Sequence, residues 1–143
     1  MSYRAVNKKE FETLSQFRYQ LRRFLRFSED LTRNEGVTNL QYLLLLHIKG
    51  YPGRDWATVG ELAEKLQAQP HGAVALVNRC EKLGLVHREP GRKDRREVEI
   101  HLTPEGDKMV SKIARMHRDE LLTPQGDFRV LGARKLFDDT PEQ

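Results

Sequence analysis

The 143 residues carry 38% hydrophobic and 32% charged side chains and a formal net charge of +4. That is enough for one domain around a single core and too polar for a membrane protein. No apolar run nears the roughly 20 residues that span a bilayer, and the start, Met1 to Lys9, lacks the apolar stretch of a signal peptide, so the chain is expected to stay in the cytoplasm.

Apolar residues at Phe11, Leu14, Phe17, Leu21, Phe24, Leu25 and Phe27 recur at largely helical spacing and predict a long amphipathic helix from about Lys8 to Leu31. Asn34-Glu35-Gly36 stops it. Thr38 with Gln41 makes a capping box for a second helix through Leu43, Leu44, Leu46, His47 and Ile48, ended by Gly50 to Gly53. A loop around Trp56 follows. Thr58-Val59-Gly60-Glu61 is another capping box, opening a helix of about two turns with Leu62, Ala63 and Leu66 on its apolar face. After the tight turn Gln67-Ala68-Gln69, Pro70 suits the first position of a helix running to Leu83, with Gly84 just beyond its end.

On that fourth helix Ala73, Leu76, Val77, Cys80 and Leu83 form the stripe expected to face the core, and His71, Ala75, Asn78 and Lys82 lie opposite. A short helix, a tight turn and a second helix make a helix-turn-helix, whose second helix enters the DNA major groove. Leu85 to Arg88 and Glu97 to Leu102 alternate like strands, so the segment between them is the loop of a hairpin, a wing. Thr103-Pro104-Glu105 caps a last long helix, with Val110, Ile113, His117 and Leu121 toward the interior. Leu122-Thr123-Pro124-Gln125-Gly126-Asp127 echoes Leu102 to Asp107, which predicts a break near Pro124, a restart toward Phe137 and a frayed tail. The fold class is α+β, mainly helical, with a winged helix-turn-helix.

Charge is concentrated at the hairpin. From Arg88 to Arg96 five basic residues stand against Glu89 and Asp94, leaving +3 of the chain's +4 in nine residues. So focused a charge suits a polyanion, and double-stranded DNA is the expected partner. Arg92, Lys93, Arg95 and Arg96 are the candidate phosphate and minor-groove contacts, and Asp94 is placed to orient the Arg96 guanidinium. From the reading helix His71, Val74, Ala75, Asn78 and Arg79 are the candidate contacts, with Gln69 ahead of them. Asn78 could pair with adenine, and Val74 or Ala75 could touch a thymine methyl. No Arg or Lys occupies the helix's first two turns, which shifts specificity toward shape and the wing.

Arg18, Arg22 and Arg26, with Arg23 beside them, make either a solvated basic face or a site for a carboxylate or phosphate. Cys80 on the core stripe reads as a packed thiol. The histidines at 47, 71, 87, 101 and 117 show no His-x-x-x-His pair and no cysteine cluster, so no metal and no cofactor is expected. No nucleophile elbow, phosphate loop or dinucleotide fingerprint appears, which argues against an enzyme.

Three stretches resemble the multiple antibiotic resistance regulator (MarR) family: Glu61 to Leu66, Val77 to Val86, and Asp94-Arg95-Arg96 followed by Leu102-Thr103-Pro104-Glu105-Gly106. The resemblance implies a homodimer built from the first and C-terminal helices, two readers on successive major grooves, and repression by promoter occlusion. It further implies that Arg96, buttressed by Asp94, enters the minor groove, and that an acidic or phenolic effector binds between the dimer helices and the reader. The chain departs from the family at Ala75, where many members carry arginine. It lacks the first-helix cysteine of peroxide sensors, and no zinc-sensor ligand cluster is visible. One domain over 1–143 is expected, with a helical dimerisation and scaffold part at 7–50 and 103–137 and a reader at 56–102. The alternative is a winged-helix protein-interaction module with only non-specific DNA affinity.

Overall fold

The computed structural model describes residues 3–123. Five helices surround a small sheet, in the order α1 (Lys8–Asn34), α2 (Asn39–Lys49), β1 (Trp56–Thr58), α3 (Val59–Leu66), α4 (Pro70–Lys82), β2 (Val86–Pro90), β3 (Val98–Leu102) and α5 (Pro104–Leu122). Both anticipated capping boxes are formed: Thr38 accepts from the Gln41 N–H while the Gln41 side chain returns to the Thr38 N–H, and Thr58 and Glu61 do the same. A third box, Asn7 with Glu10, starts α1. The helix runs one turn past Leu31, to Asn34, and the chain leaves it through Gly36 at φ +86.

Trp56 to Thr58, expected as loop, is a strand. It pairs antiparallel with β3, setting Trp56 opposite His101 and Thr58 opposite Glu99, so the sheet order is β1-β3-β2. The hairpin strands are shifted from expectation: β2 continues through Glu89 and Pro90, and β3 begins at Val98.

The core gathers Leu44, Leu45 and Ile48 of α2, Leu62 of α3, Val77 and Cys80 of α4, Ile100 of β3 and Ile113 of α5, each with no exposed surface. Leu83 was expected on this stripe and is instead exposed, because the helix ends at Lys82 and the chain turns away through Gly84 at φ +76. Gly106 opens α5 against the start of β2, where a Cβ would meet the Leu85 carbonyl. Val110, Ile113 and His117 are buried as expected, and Leu121 is half-buried. The expected break near Pro124, the restart and the frayed tail lie outside the described residues.

Against α1, His117 of α5 lies flat on Tyr42 at 5.0 Å and edge-on to Phe24 and Phe27. Its Nε2 is 2.9 Å from Ser28 Oγ, and Ser28 donates to Asn39 Oδ1 at 2.9 Å. Only Ser28 and Thr32 of α1 are buried. Phe11, Leu14 and Leu25 stay exposed along it. Among the described residues no helix is long and apolar enough to cross a membrane.

Candidate nucleic-acid interface

The turn between α3 and α4 is made by Gln67, whose left-handed backbone (φ +52) lets the Ala68 N–H reach back to the Ala63 carbonyl at 2.9 Å. Gln69 occupies the N-cap of α4 without a side-chain cap bond and is exposed. His71, Val74, Asn78 and Arg79 are exposed on α4, and Ala75 is half-buried. Asn78 is more constrained than its sequence position suggests. Its Oδ1 accepts from Arg88 Nη2 at 2.6 Å, while Arg88 Nη1 meets Glu81 at 2.6 Å. Pairing with adenine uses both ends of the amide, and since the oxygen has a second lone pair, the Arg88 bond fixes the orientation in which Asn78 could make it. Arg88 clasps the reading helix to the wing, a role that only the packing of β2 beside α4 reveals.

The wing loop closes through the Gly91 N–H to the Glu97 carbonyl (2.7 Å) and the Glu97 N–H to the Asp94 carbonyl (3.1 Å). Gly91 is needed there, since a Cβ would run into the Asp94 and Glu97 carbonyls. Asp94 was expected to hold the Arg96 guanidinium. Its carboxylate instead accepts the Arg96 backbone N–H at 3.0 Å, because a two-residue reach inside so tight a turn favours the main chain. Asp94 thus shapes the turn and leaves the guanidinium outward. Lys93, Arg95 and Arg96 are exposed, and no side-chain partner is found for them among the described residues.

Arg92 differs from its neighbours. Its guanidinium lies over the Trp56 ring at 5.5 Å, with Nε 3.6 Å from Glu99, and its backbone N–H donates to Glu99 at 3.2 Å. Arg54 covers Trp56 at 3.9 Å and pairs with Glu61. Burial would push the Glu61 carboxyl up, but hydrogen bonds from Tyr51, the Thr58 backbone and Arg54 bring it down to about 2. Glu99 is 2% exposed, and burial would raise its carboxyl too. Bonds from His101 and the Arg92 backbone, aided by the charges of Arg92 and His101, hold it below the usual carboxylate range.

Sequence spacing disclosed no metal-binding cluster, yet the strand register brings Glu89, Glu99 and His101 together, their ligand atoms within 4.8 Å of one another. The usable signal was the inverted pair His87-Arg88-Glu89 and Glu99-Ile100-His101 flanking the wing. Cys80 is sealed in the core, and burial raises its thiol to about 11, which suits packing and not redox chemistry. Arg18, Arg22 and Arg26 are exposed along α1.

A reading helix beside a cation-tipped hairpin defines a winged helix-turn-helix protein. Residues 35–97 match the model of the MarR family. A Thauera aromatica protein, whose name assigns it to transcriptional regulation of the hcr operon, is 32% identical over 105 residues, 72% of this chain and 61% of that protein. AbsC, a MarR family transcriptional regulator from Streptomyces coelicolor, superposes with a TM-score of 0.70 at 22% identity over 96% of this chain and 84% of its own. A mutant of MepR from S. aureus bound to an oligodeoxyribonucleotide gives 0.62 at 22% identity, covering 72% of this chain and 74% of that one. The match to the MarR family model thus covers most of the reader and its approach, the solved MarR-family structures share the fold, and the chain spans 61% or less of the length of the curated transcriptional regulators it resembles.

Proposed function

We propose that this protein is a homodimeric repressor that holds a pseudo-palindromic operator with half-sites about 10 bp apart. The observation that carries this reading is the wing tip, where Lys93, Arg95 and Arg96 stand exposed on a turn shaped by Asp94. Residues 56–102 act as the reader, with α4 in the major groove presenting Gln69, His71, Val74, Ala75, Asn78 and Arg79. Arg92, Lys93, Arg95 and Arg96 meet phosphates and the adjacent minor groove. Residues 7–50 and 103–137 form the dimer and scaffold part of one domain over 1–143. The exposed Phe11, Leu14 and Leu25 support that pairing. A regulator of this kind works beside the chromosome, in the cytoplasm.

An acidic or phenolic effector fits the same reading. The polar chain His117, Ser28 and half-buried Asn39, edged by Phe24, Phe27 and Tyr42, lies where α1, α2 and α5 meet, and a ligand entering there would have to replace the hydrogen bonds these groups make to one another. The test of the whole is selection of bound DNA from a random pool at about 150 mM salt, where weak phosphate binding is suppressed. An enriched two-fold motif is expected. No enrichment by effector-free protein would instead favour a protein-interaction module.

A further inference from the structure

On the outer face of the wing sheet, four side chains with metal-binding chemistry form a square. The β2–β3 register sets His87 opposite His101 and Glu89 opposite Glu99, and strand alternation points all four to the same side. Arg88, between His87 and Glu89, points the other way, to α4. His101 Nε2 lies 2.9 Å from Glu99 Oε1 and 3.1 Å from Glu89 Oε2. One ring nitrogen carries at most one proton, so the two carboxylates must compete for it or share it in a weaker three-centre bond. Two carboxylates directly opposed on neighbouring strands also repel each other. A divalent cation at the centre would resolve both conflicts by taking one lone pair from each of the three groups.

We propose that Glu89, Glu99 and His101 form a divalent transition-metal site at the base of the wing, with His87 as a fourth donor. Ligand atoms around a four-coordinate ion with bonds of about 2.1 Å stand about 3.4 Å apart. The two His101–carboxylate separations, 2.9 and 3.1 Å, therefore need to open by only a few tenths of an ångström, and all three ligand atoms already lie within 4.8 Å of one another. His87 Nδ1 is 3.7 Å from Glu89, and its ring stacks on His101 at 5.5 Å. Imidazole and carboxylate donors without thiolate suit zinc and its first-row neighbours and not copper(I). The surroundings are those of a supported site: Trp56 stacks on His101 at 6.1 Å, and the second oxygen of Glu99 is held by the Arg92 N–H at 3.2 Å. Glu89, half in solvent, leaves one side open for entry.

This site sits under the DNA-reading loop, and its effect there rests on the repressor reading. An ion bound to Glu99 Oε1 replaces the Arg92 guanidinium, 3.6 Å away, as that oxygen's cationic partner. Arg92 is then released toward phosphate, and the bound ion adds positive charge beneath the wing. The metal-loaded protein therefore holds DNA more tightly.

Chelator-treated full-length protein titrated with Co²⁺, followed by its visible ligand-field absorption, tests the site without any DNA, and Zn²⁺ should displace the Co²⁺ signal. One equivalent per chain is expected, weakened at least 10-fold in Glu89→Gln and in His101→Ala and unchanged in His71→Ala. Because Glu99 is buried, the half-exposed Glu89 is the decisive variant, checked for an unaltered melting temperature. Absence of a saturable signal, or equal affinity in Glu89→Gln, overturns the site. In the second arm, Zn²⁺ should tighten operator binding several-fold in the wild type and not in Glu89→Gln. Metal binding without this change leaves the site standing and overturns the coupling. Metal binding by a protein that selects no DNA sequence sinks the repressor reading alone.

Discussion

Leu62, Val77, Cys80 and Ile100 of the reader are sealed from solvent, whereas Phe11, Leu14 and Leu25 on α1 keep 58, 46 and 43% of their surface in water. The reader's core is closed within the described residues, by Leu44, Leu45 and Ile48 of α2 and Ile113 of α5 as well as its own side chains. The first helix leaves that much of Phe11, Leu14 and Leu25 uncovered by any described residue. The two regions should therefore respond to mutation in different ways, one through folding and the other through association.

The largest effect should come from the closed region. Ile100→Ala is expected to cost about 2–5 kcal/mol of unfolding free energy, read from denaturant midpoints. A loss under about 1 kcal/mol would mean that the reader's core is looser than its burial implies. Gly106→Ala, which sets a Cβ against the Leu85 carbonyl, should cost about 1–3 kcal/mol, since backbone must shift to admit it. On the open region Leu14→Asp should leave the reader folded and weaken self-association by on the order of 10–100-fold, read by sedimentation or light scattering. Unchanged association would remove α1 from the dimer contact.

Arg96→Ala should leave stability and dimerisation alone and weaken operator binding by at least about 1 kcal/mol, with a shallower salt dependence. Unaltered affinity at physiological salt would remove this arginine from the minor groove. The smallest effect is confined to acid. The folded state depresses the Glu61 carboxyl to about 2, so its contribution is complete above the ordinary carboxylate range and is lost as pH falls from about 4.5 toward 2. Unfolding measured between pH 6 and 2 should show that slope in the wild type and less of it in Glu61→Gln.

The helix starts were legible because capping is a local affair: Thr38 with Gln41, Thr58 with Glu61, and Thr103 with Pro104 each act within three residues. The wing was legible through its charge. Strand β1 was not, since three residues carry no periodicity and Trp56 to Thr58 become a strand only by pairing with β3, far along the chain. The same distance hid the Arg88 clasp on Asn78 and the trio Glu89, Glu99 and His101.

By itself the sequence determined where helices begin, which stripe of α4 turns inward and where the cations collect, because local hydrogen bonds and periodic burial act over a few neighbours. Only the tertiary structure decided which of those cations are free. Arg88 and Arg92 are held by Asn78, Glu81 and Glu99, while Lys93, Arg95 and Arg96 have no side-chain partner among the described residues, a difference set by strand register and helix packing between residues distant in the chain.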